Sequence, residues 1–223
     1  NTTVIAALAV ARGDADAMLC GLEGRYRSRV KHLGDIIGLA PGAKEFSALS
    51  LVITAKGAFF IADTQVRLDP TAEEVADMAI LCADHVRRFG LTPRIALVSH
   101  SNFGAADTPS ALKMRRALGL VRARAPALEV DGEMQADTAL SQETRDRVYP
   151  HARLKGEANV LVMPNLDAAN IAYQFARTLA DALPVGPILL GTRKPAHVLT
   201  PSVTARGIVN MTAIAVVEAN DQK

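Results

Sequence analysis

Ser99-His100-Ser101-Asn102 follows the apolar run Ile95 to Val98, so a histidine stands between two hydroxyls where a strand gives out. An imidazole so placed can act as a general base, and hydroxyls beside it can donate to a bound group. The same residues serve equally as a hydrogen-bonded polar lining. A Ser-His-acid hydrolase needs its nucleophile on a Gly-x-Ser-x-Gly elbow, which the chain lacks. Arg25, Arg27, Arg29 and Lys31, with Tyr26 among them, form a basic run. Guanidinium forks suit phosphate groups; a solvated loop and helix face is the other reading, and both stay open. Asp131 and Glu133 flank Gly132 and read as turn and surface residues rather than an acid/base pair. Thr200-Pro201 reads as a helix start, with Thr as N-cap and Pro in the first helical position. A helix N-terminus attracts anions, but this proline removes one donor and leaves the Thr200 hydroxyl.

Elements must bring these groups together. Apolar runs alternate with helical patterns along most of the chain, the pattern of an α/β protein. Asn1 or Thr2 caps a first helix that ends near Gly13, and Ala17 to Gly21 is a short buried strand. Two β-rich runs, Leu49 to Thr54 and Ala58 to Ala62, flank Ala55-Lys56-Gly57, a hairpin signal that makes the sheet mixed and mostly parallel. Thr71 with Glu74 is a capping box, and Val75, Met78, Cys82, Val86 and Phe89 make one stripe of the helix behind it. Further strands are expected at Arg94 to Ser99, Val160 to Met163 and Ile188 to Leu190. Helices are expected at Ser110 to Ala125, Ala168 to Ala180 and Ser202 to Glu218. The last is so apolar that its own domain or a partner subunit must cover it. Three strands run into polar clusters, at Ser99 to Asn102, Asp131 to Glu133 and Pro164-Asn165. In an open α/β sheet such carboxyl ends converge on one crevice.

Composition narrows the classes. The 223 residues are 49% hydrophobic and 22% charged, enough for a buried core in one large domain or two lobes. The net charge of +2 is dispersed, without an aromatic-interleaved basic stripe for nucleic acid. Apolar stretches break before membrane-spanning length. Cys20 and Cys82 sit in apolar runs and read as buried thiols in a reducing compartment, the cytoplasm. No Gly-x-Gly nucleotide fingerprint occurs, and no two of His32, His85, His100, His151 and His197 fall on one helical face at ligand spacing, so a protein metal site is not expected. The opening Asn1-Thr2-Thr3, without Met, reads as the start of a fragment cut from a longer polypeptide.

Several motifs together resemble the phosphotransacetylases, the phosphate acetyl/butyryltransferase family. They are Asp131-Gly132-Glu133-Met134-Gln135, Ala158 to Leu166, Asn170-Ile171 with Tyr173, Gly186 to Gly191, and Leu199 to Asn210. Ser99 to Gly104, Lys155 to Asn159, His197 to Asn210, Asn1 to Thr3 and Gly24 to Tyr26 are similar to the phosphotransacetylase-like C-terminal domain of bacterial NADP-dependent malic enzymes. The resemblance implies an isocitrate/isopropylmalate dehydrogenase-like fold over residues 1–223, lacking the family's opening βα segments and any malic enzyme catalytic domain. It also implies which residues once did chemistry. The family's catalytic Ser, Arg and Asp fall on Thr200, Pro201 and Gly207, and a basic family position is Lys31 here. Two of the three reacting groups are therefore missing. The implied role is regulation: acetyl-CoA as effector, homo-oligomerisation, and a parent chain that decarboxylates malate with NADP and Mg or Mn. Arg25, Lys31, Ser99, His100, Ser101, Asn102, Asn165 and Thr200 are the expected ligand contacts. A working phosphate acetyltransferase, with Thr200 in the serine's place, is the rival reading.

Overall fold

A computed structural model describes residues 1–222. Asn1 caps α1 (Thr2–Arg12) by accepting from the Thr3 amide, and Gly13 ends it in the left-handed region. The chain continues through β1 (Met18–Gly21), α2 (Tyr26–Ile36), β2 (Ser47–Thr54) and β3 (Gly57–Ala62). After these come α3 (Ala72–Arg88), β4 (Arg94–Val98), α4 (Pro109–Arg124), β5 (Glu129–Met134), α5 (Ala136–Leu140) and α6 (Gln142–Val148). Last are β6 (Val160–Val162), α7 (Leu166–Leu179), β7 (Leu183–Leu190), β8 (Ala196–Leu199) and α8 (Ala205–Asn220).

The main sheet has the order β5-β4-β6-β3-β2-β7. β2 runs against both of its neighbours, because the hairpin expected at Ala55 to Gly57 forms, and the β3-β6-β4-β5 pairings are parallel. Strand alternation splits the apolar side chains between two layers. Phe60, Ile95, Leu97, Val160 and Val162 pack with α3 and α4. Ile61, Ala96, Val98 and Leu161 pack on the other face with Ala169 and Tyr173 of α7. The capping box at Thr71 and Glu74 forms as expected and starts α3, whose apolar stripe is the centre of the first layer.

A second sheet holds β1 and β8 alone, parallel, with Gly21 beside Leu199. Sequence patterning gives β1 but not β8. Ala7, Val10, Val30, Leu33 and Ile37 of the α1–α2 region bury it. Gly21 is required there: its φ is +120°, and a Cβ would lie 2.1 Å from the Leu199 carbonyl oxygen. Cys82 is buried, whereas Cys20 is only half-buried, in correction of the expectation that both are interior.

The last helix starts later than expected. Thr200-Pro201 is a turn, closed by the Val203 amide donating to the Thr200 carbonyl at 3.1 Å. Thr204 is the N-cap, accepting from the Gly207 amide at 3.0 Å. Both threonines satisfy the capping preference, and the second wins because its hydroxyl reaches the N3 amide. α8 buries Met211, Ala215, Glu218 and Ala219 and leaves Val209, Val216 and Val217 exposed, so its own domain covers one side only. Among the described residues no helix is long and apolar enough to cross a membrane.

Candidate functional site

Parallel strands place their carboxyl ends on one edge, and the polar clusters expected there do gather. The Ser99-to-Asn102 loop leaves β4 beside the end of β5. Ser101 Oγ donates to Glu133 Oε1 at 2.8 Å, and the Gly104 amide donates to the same oxygen at 2.9 Å. Ser99 Oγ accepts from the Ser101 amide, and Asn102 exchanges hydrogen bonds with Gln135. These side chains fasten the loop to β5, which leaves Ser99, Ser101 and Asn102 with their main bonds already made. His100 is exposed and lies 3.2 Å from the Thr108 hydroxyl at the start of α4. Its ring is therefore the open polar group of the loop.

Asp131 and Glu133 are not turn and surface residues. They are 2% and 0% exposed, inside β5. Burial there is tolerable because each carboxylate has a guanidinium: Arg122 Nη2 lies 2.8 Å from Asp131 Oδ1, and Arg115 Nε lies 3.3 Å from Glu133 Oε2. Asp131 also accepts from the Arg153 and Leu154 amides. The partners sit on α4 and on the loop after α6, in other elements, so the local turn pattern does not reveal them.

Arg25 is the N-cap position of α2 and is exposed, and Lys31 pairs with Asp35 one turn along at 2.8 Å. The basic run is thus helical for most of its length, not a loop. Thr200 Oγ1 lies 3.1 Å from Ser202 Oγ. Thr200 and the Arg25 segment follow paired strand ends, since Gly21 and Leu199 are register partners and the Leu22 amide donates to the Leu199 carbonyl. Asn165 caps α7 through its bond from the Ala168 amide at 2.9 Å.

The segment from Asp63 to Asp69, at the carboxyl end of β3, connects these groups. Sequence reasoning missed it, although Asp63-Thr64-Gln65 after Phe59 to Ala62 is another polar strand end. Arg27 of α2 donates to the Val66 carbonyl, the Leu166 amide beside Asn165 donates to the Leu68 carbonyl, and Lys113 of α4 meets Asp69. Asp63 is buried and accepts from the Gln65, Val66 and Arg67 amides. Burial pushes its carboxyl above the ordinary range, and those backbone donors oppose the shift. Burial, with the Asp63 charge adding to it, pushes the Tyr26 phenol up. The Arg25 end of α2, the Asn165 end of α7 and the His100 end of α4 therefore border one loop at the carboxyl edge of the sheet.

Gly207, the position expected to match the family's Asp, is tightly packed. Gly207 is buried, and a Cβ built there would lie 2.7 Å from Val203 Cγ2. Together with Pro201 this leaves neither a base nor a fixed cation in the Thr200 turn. Among the described residues no three His, Cys, Asp or Glu side chains are placed to hold a metal ion.

The architecture and these strand ends define a class. The model of the phosphate acetyl/butaryl transferase family matches residues 1–216, and the chain belongs to that family. A phosphotransacetylase from Streptococcus pyogenes superposes with a TM-score of 0.93 at 31% identity, over 98% of this chain and 67% of that one. Within the family the chain is similar to parts of longer proteins. It is 59% identical over 220 residues to an NAD-dependent malic enzyme of Rhizobium meliloti (strain 1021), covering 99% of this chain and 29% of that protein. It is 49% identical over 223 residues to an NADP-dependent malic enzyme of Escherichia coli (strain K12), covering 100% of this chain and again 29% of the relative. The chain thus spans less than a third of the length of these malic enzymes.

Proposed function

We propose that this chain is a non-catalytic regulatory and oligomerisation domain of a malic enzyme, with the isocitrate/isopropylmalate dehydrogenase-like architecture, and that it binds acetyl-CoA as an allosteric inhibitor. The parent protein converts malate to pyruvate and CO2 with NADP and Mg or Mn, held by residues outside this chain, in the cytoplasm. The observation that carries the reading is Gly207, buried under Val203 where the family has its Asp. Loss of a cation that meets developing charge costs about 10²–10³ in rate, and loss of a positioned base about 10²–10⁴. Binding needs neither group. Arg25 and Arg27 at the start of α2 are exposed cations, Arg27 reaching the Val66 carbonyl of the Asp63 segment, and are suited to the phosphates of the ligand. Inhibition follows if acetyl-CoA binds one global state better than another, with a coupling of about 1–3 kcal/mol.

Two unpartnered apolar faces support self-association. α7 exposes Ile171, Phe175 and Leu179 at successive i+4 steps, Phe175 at 60% and Leu179 at 79%, and α8 exposes Val209, Val216 and Val217. Calorimetric titration of acetyl-CoA into the purified protein, with an assay of acetyl-CoA formation from acetyl phosphate, tests the reading. Saturable heat without turnover is expected. Turnover that Thr200→Val abolishes would instead establish a phosphate acetyltransferase, and no heat of binding would end the sensor reading.

A further inference from the structure

A cavity of about 390 Å³ lies between α4, β5 and the loop after α6, apart from the Thr200 turn and the α2 cations. Its size falls within the roughly 300–1,000 Å³ typical of ligand pockets. One wall is aromatic: Phe103 and Tyr149 stack with ring centroids 4.4 Å apart and planes at 17°. Tyr149 remains 39% exposed, and His151 meets it edge-on.

The other walls are cationic. Arg115 and Arg122 stand seven residues apart on α4, about two turns and hence on one face of the helix. Both line the cavity with Arg153, against the carboxylates Asp131 and Glu133. Arg122 is matched by Asp131, and Arg115 by Glu133. Arg153 is different. Its backbone amide is pinned by Asp131 Oδ2, which fixes the position of the residue, while among the described residues its guanidinium has no bonded partner. Arg115 also meets Asp107 at 2.9 Å, so among the described residues Arg153 is the one guanidinium of this aromatic-walled cavity that no carboxylate matches.

We propose that this cavity is a second ligand site, for an aromatic base carrying phosphate, that is, a nucleotide. The base extends the Phe103–Tyr149 stack, since every nucleobase offers a π-face to an aromatic side chain. The phosphates meet Arg153, whose fork can chelate two oxygens, with the unused nitrogens of Arg122 deeper in. Neither half suffices: a neutral ring leaves Arg153 unmatched, and a bare anion leaves the aromatic wall wet.

The test is titration of the purified protein with ADP, adenosine and inorganic pyrophosphate, followed by calorimetry and by tyrosine emission. The chain has no tryptophan and three tyrosines, and Tyr173 is buried in the core while the Tyr26 hydroxyl is enclosed, so a change in emission reports Tyr149. ADP is expected to quench the emission and to bind at least about tenfold more tightly than adenosine or pyrophosphate. Arg153→Ala, a change at an exposed side chain, weakens ADP about tenfold and leaves adenosine unchanged. Tyr149→Leu weakens ADP about tenfold and leaves pyrophosphate unchanged. The site does not exist if ADP fails to bind, binds no better than pyrophosphate, leaves the emission unaltered, or binds Arg153→Ala as it binds the native chain. Acetyl-CoA is not among the probes, so failure of the regulatory reading and failure of this one are separable.

Discussion

Acidifying the protein from pH 7 to pH 5 should weaken it through one imidazole. His85 of α3, His197 of β8 and Glu218 of α8 form a buried cluster: His85 Nδ1 lies 3.2 Å from Glu218 Oε1, and His197 Nε2 lies 3.1 Å from Glu218 Oε2. The Leu189 amide donates to His197 Nδ1, which assigns the proton of that ring to Nε2, facing the carboxylate. Arg88 and Asp221 are the remaining charges around the cluster. Burial pushes His85 from its ordinary 6.5 down to about 4; Glu218 opposes this, and Arg88 and His197 add to it. The unfolded chain therefore binds the extra proton between pH 6.5 and about 4, so stability is lost as pH falls through that window. Integrating from pH 7 to pH 5 gives a loss of about 2 kcal/mol, or a fall of about 4–8 °C in melting temperature for a chain of this size. Burial raises the Glu218 carboxyl, but His197, His85 and Arg88 more than offset that and hold it below its ordinary 4.5. Its contribution is thus complete above pH 4.5 and is lost below, outside the interval measured. Urea denaturation of the native chain and of His85→Asn, at both pH values, isolates the imidazole, because asparagine keeps a donor near Nδ1 and cannot titrate. The variant should be weaker throughout but should lose less between pH 7 and pH 5, by about 2 kcal/mol. Equal losses in the two proteins would refute the assignment.

Other interior contacts make similarly direct forecasts. Arg145 is 0% exposed and donates to the carbonyls of Thr138 at 3.0 Å and Leu154 at 3.2 Å, and to that of Gly156. Arg145→Met orphans these acceptors and should cost about 3–5 kcal/mol in urea denaturation; a loss below about 1 kcal/mol would contradict the role. Gly21→Ala forces a methyl onto the Leu199 carbonyl and should cost about 2–4 kcal/mol, read by thermal scanning. Pro201→Arg combined with Gly207→Asp restores the family's residue types but not their setting, since Val203 fills the space at 207. The acetyl phosphate assay should show no turnover from that double variant, and a rate within about tenfold of a working phosphotransacetylase would overturn the geometric argument.

How far the fold was legible depends on how local each cause is. The Thr71–Glu74 capping box, the Ala55 to Gly57 hairpin and the end of α1 at Gly13 rest on residues a few positions apart, and all three form. Legibility fails where two local solutions compete or where the partner is remote. Thr200 and Thr204 are both competent caps, and only the reach of Thr204 to the Gly207 amide decides between them. Asp131 and Glu133 carry every mark of a turn until Arg122 and Arg115 arrive from α4. The two histidines around Glu218 share no helix, so spacing rules tuned to one helical face pass over them.

The candidate site shows the same division at larger scale. Residues at strand ends were found because a parallel sheet aligns its carboxyl edges whatever the sequence between them. What those residues do is set by neighbours the pattern does not contain: Ser101 is committed to Glu133, Lys31 to Asp35, and Asn165 to the cap of α7. Less committed are Arg25, His100, whose ring meets only the Thr108 hydroxyl, and Thr200, whose hydroxyl meets only that of Ser202. Two cations or donors and one hydroxyl can hold an anion. On the regulatory reading proposed above, these groups bind the anion, while Pro201 and Gly207 supply neither a fixed cation nor a base beside Thr200.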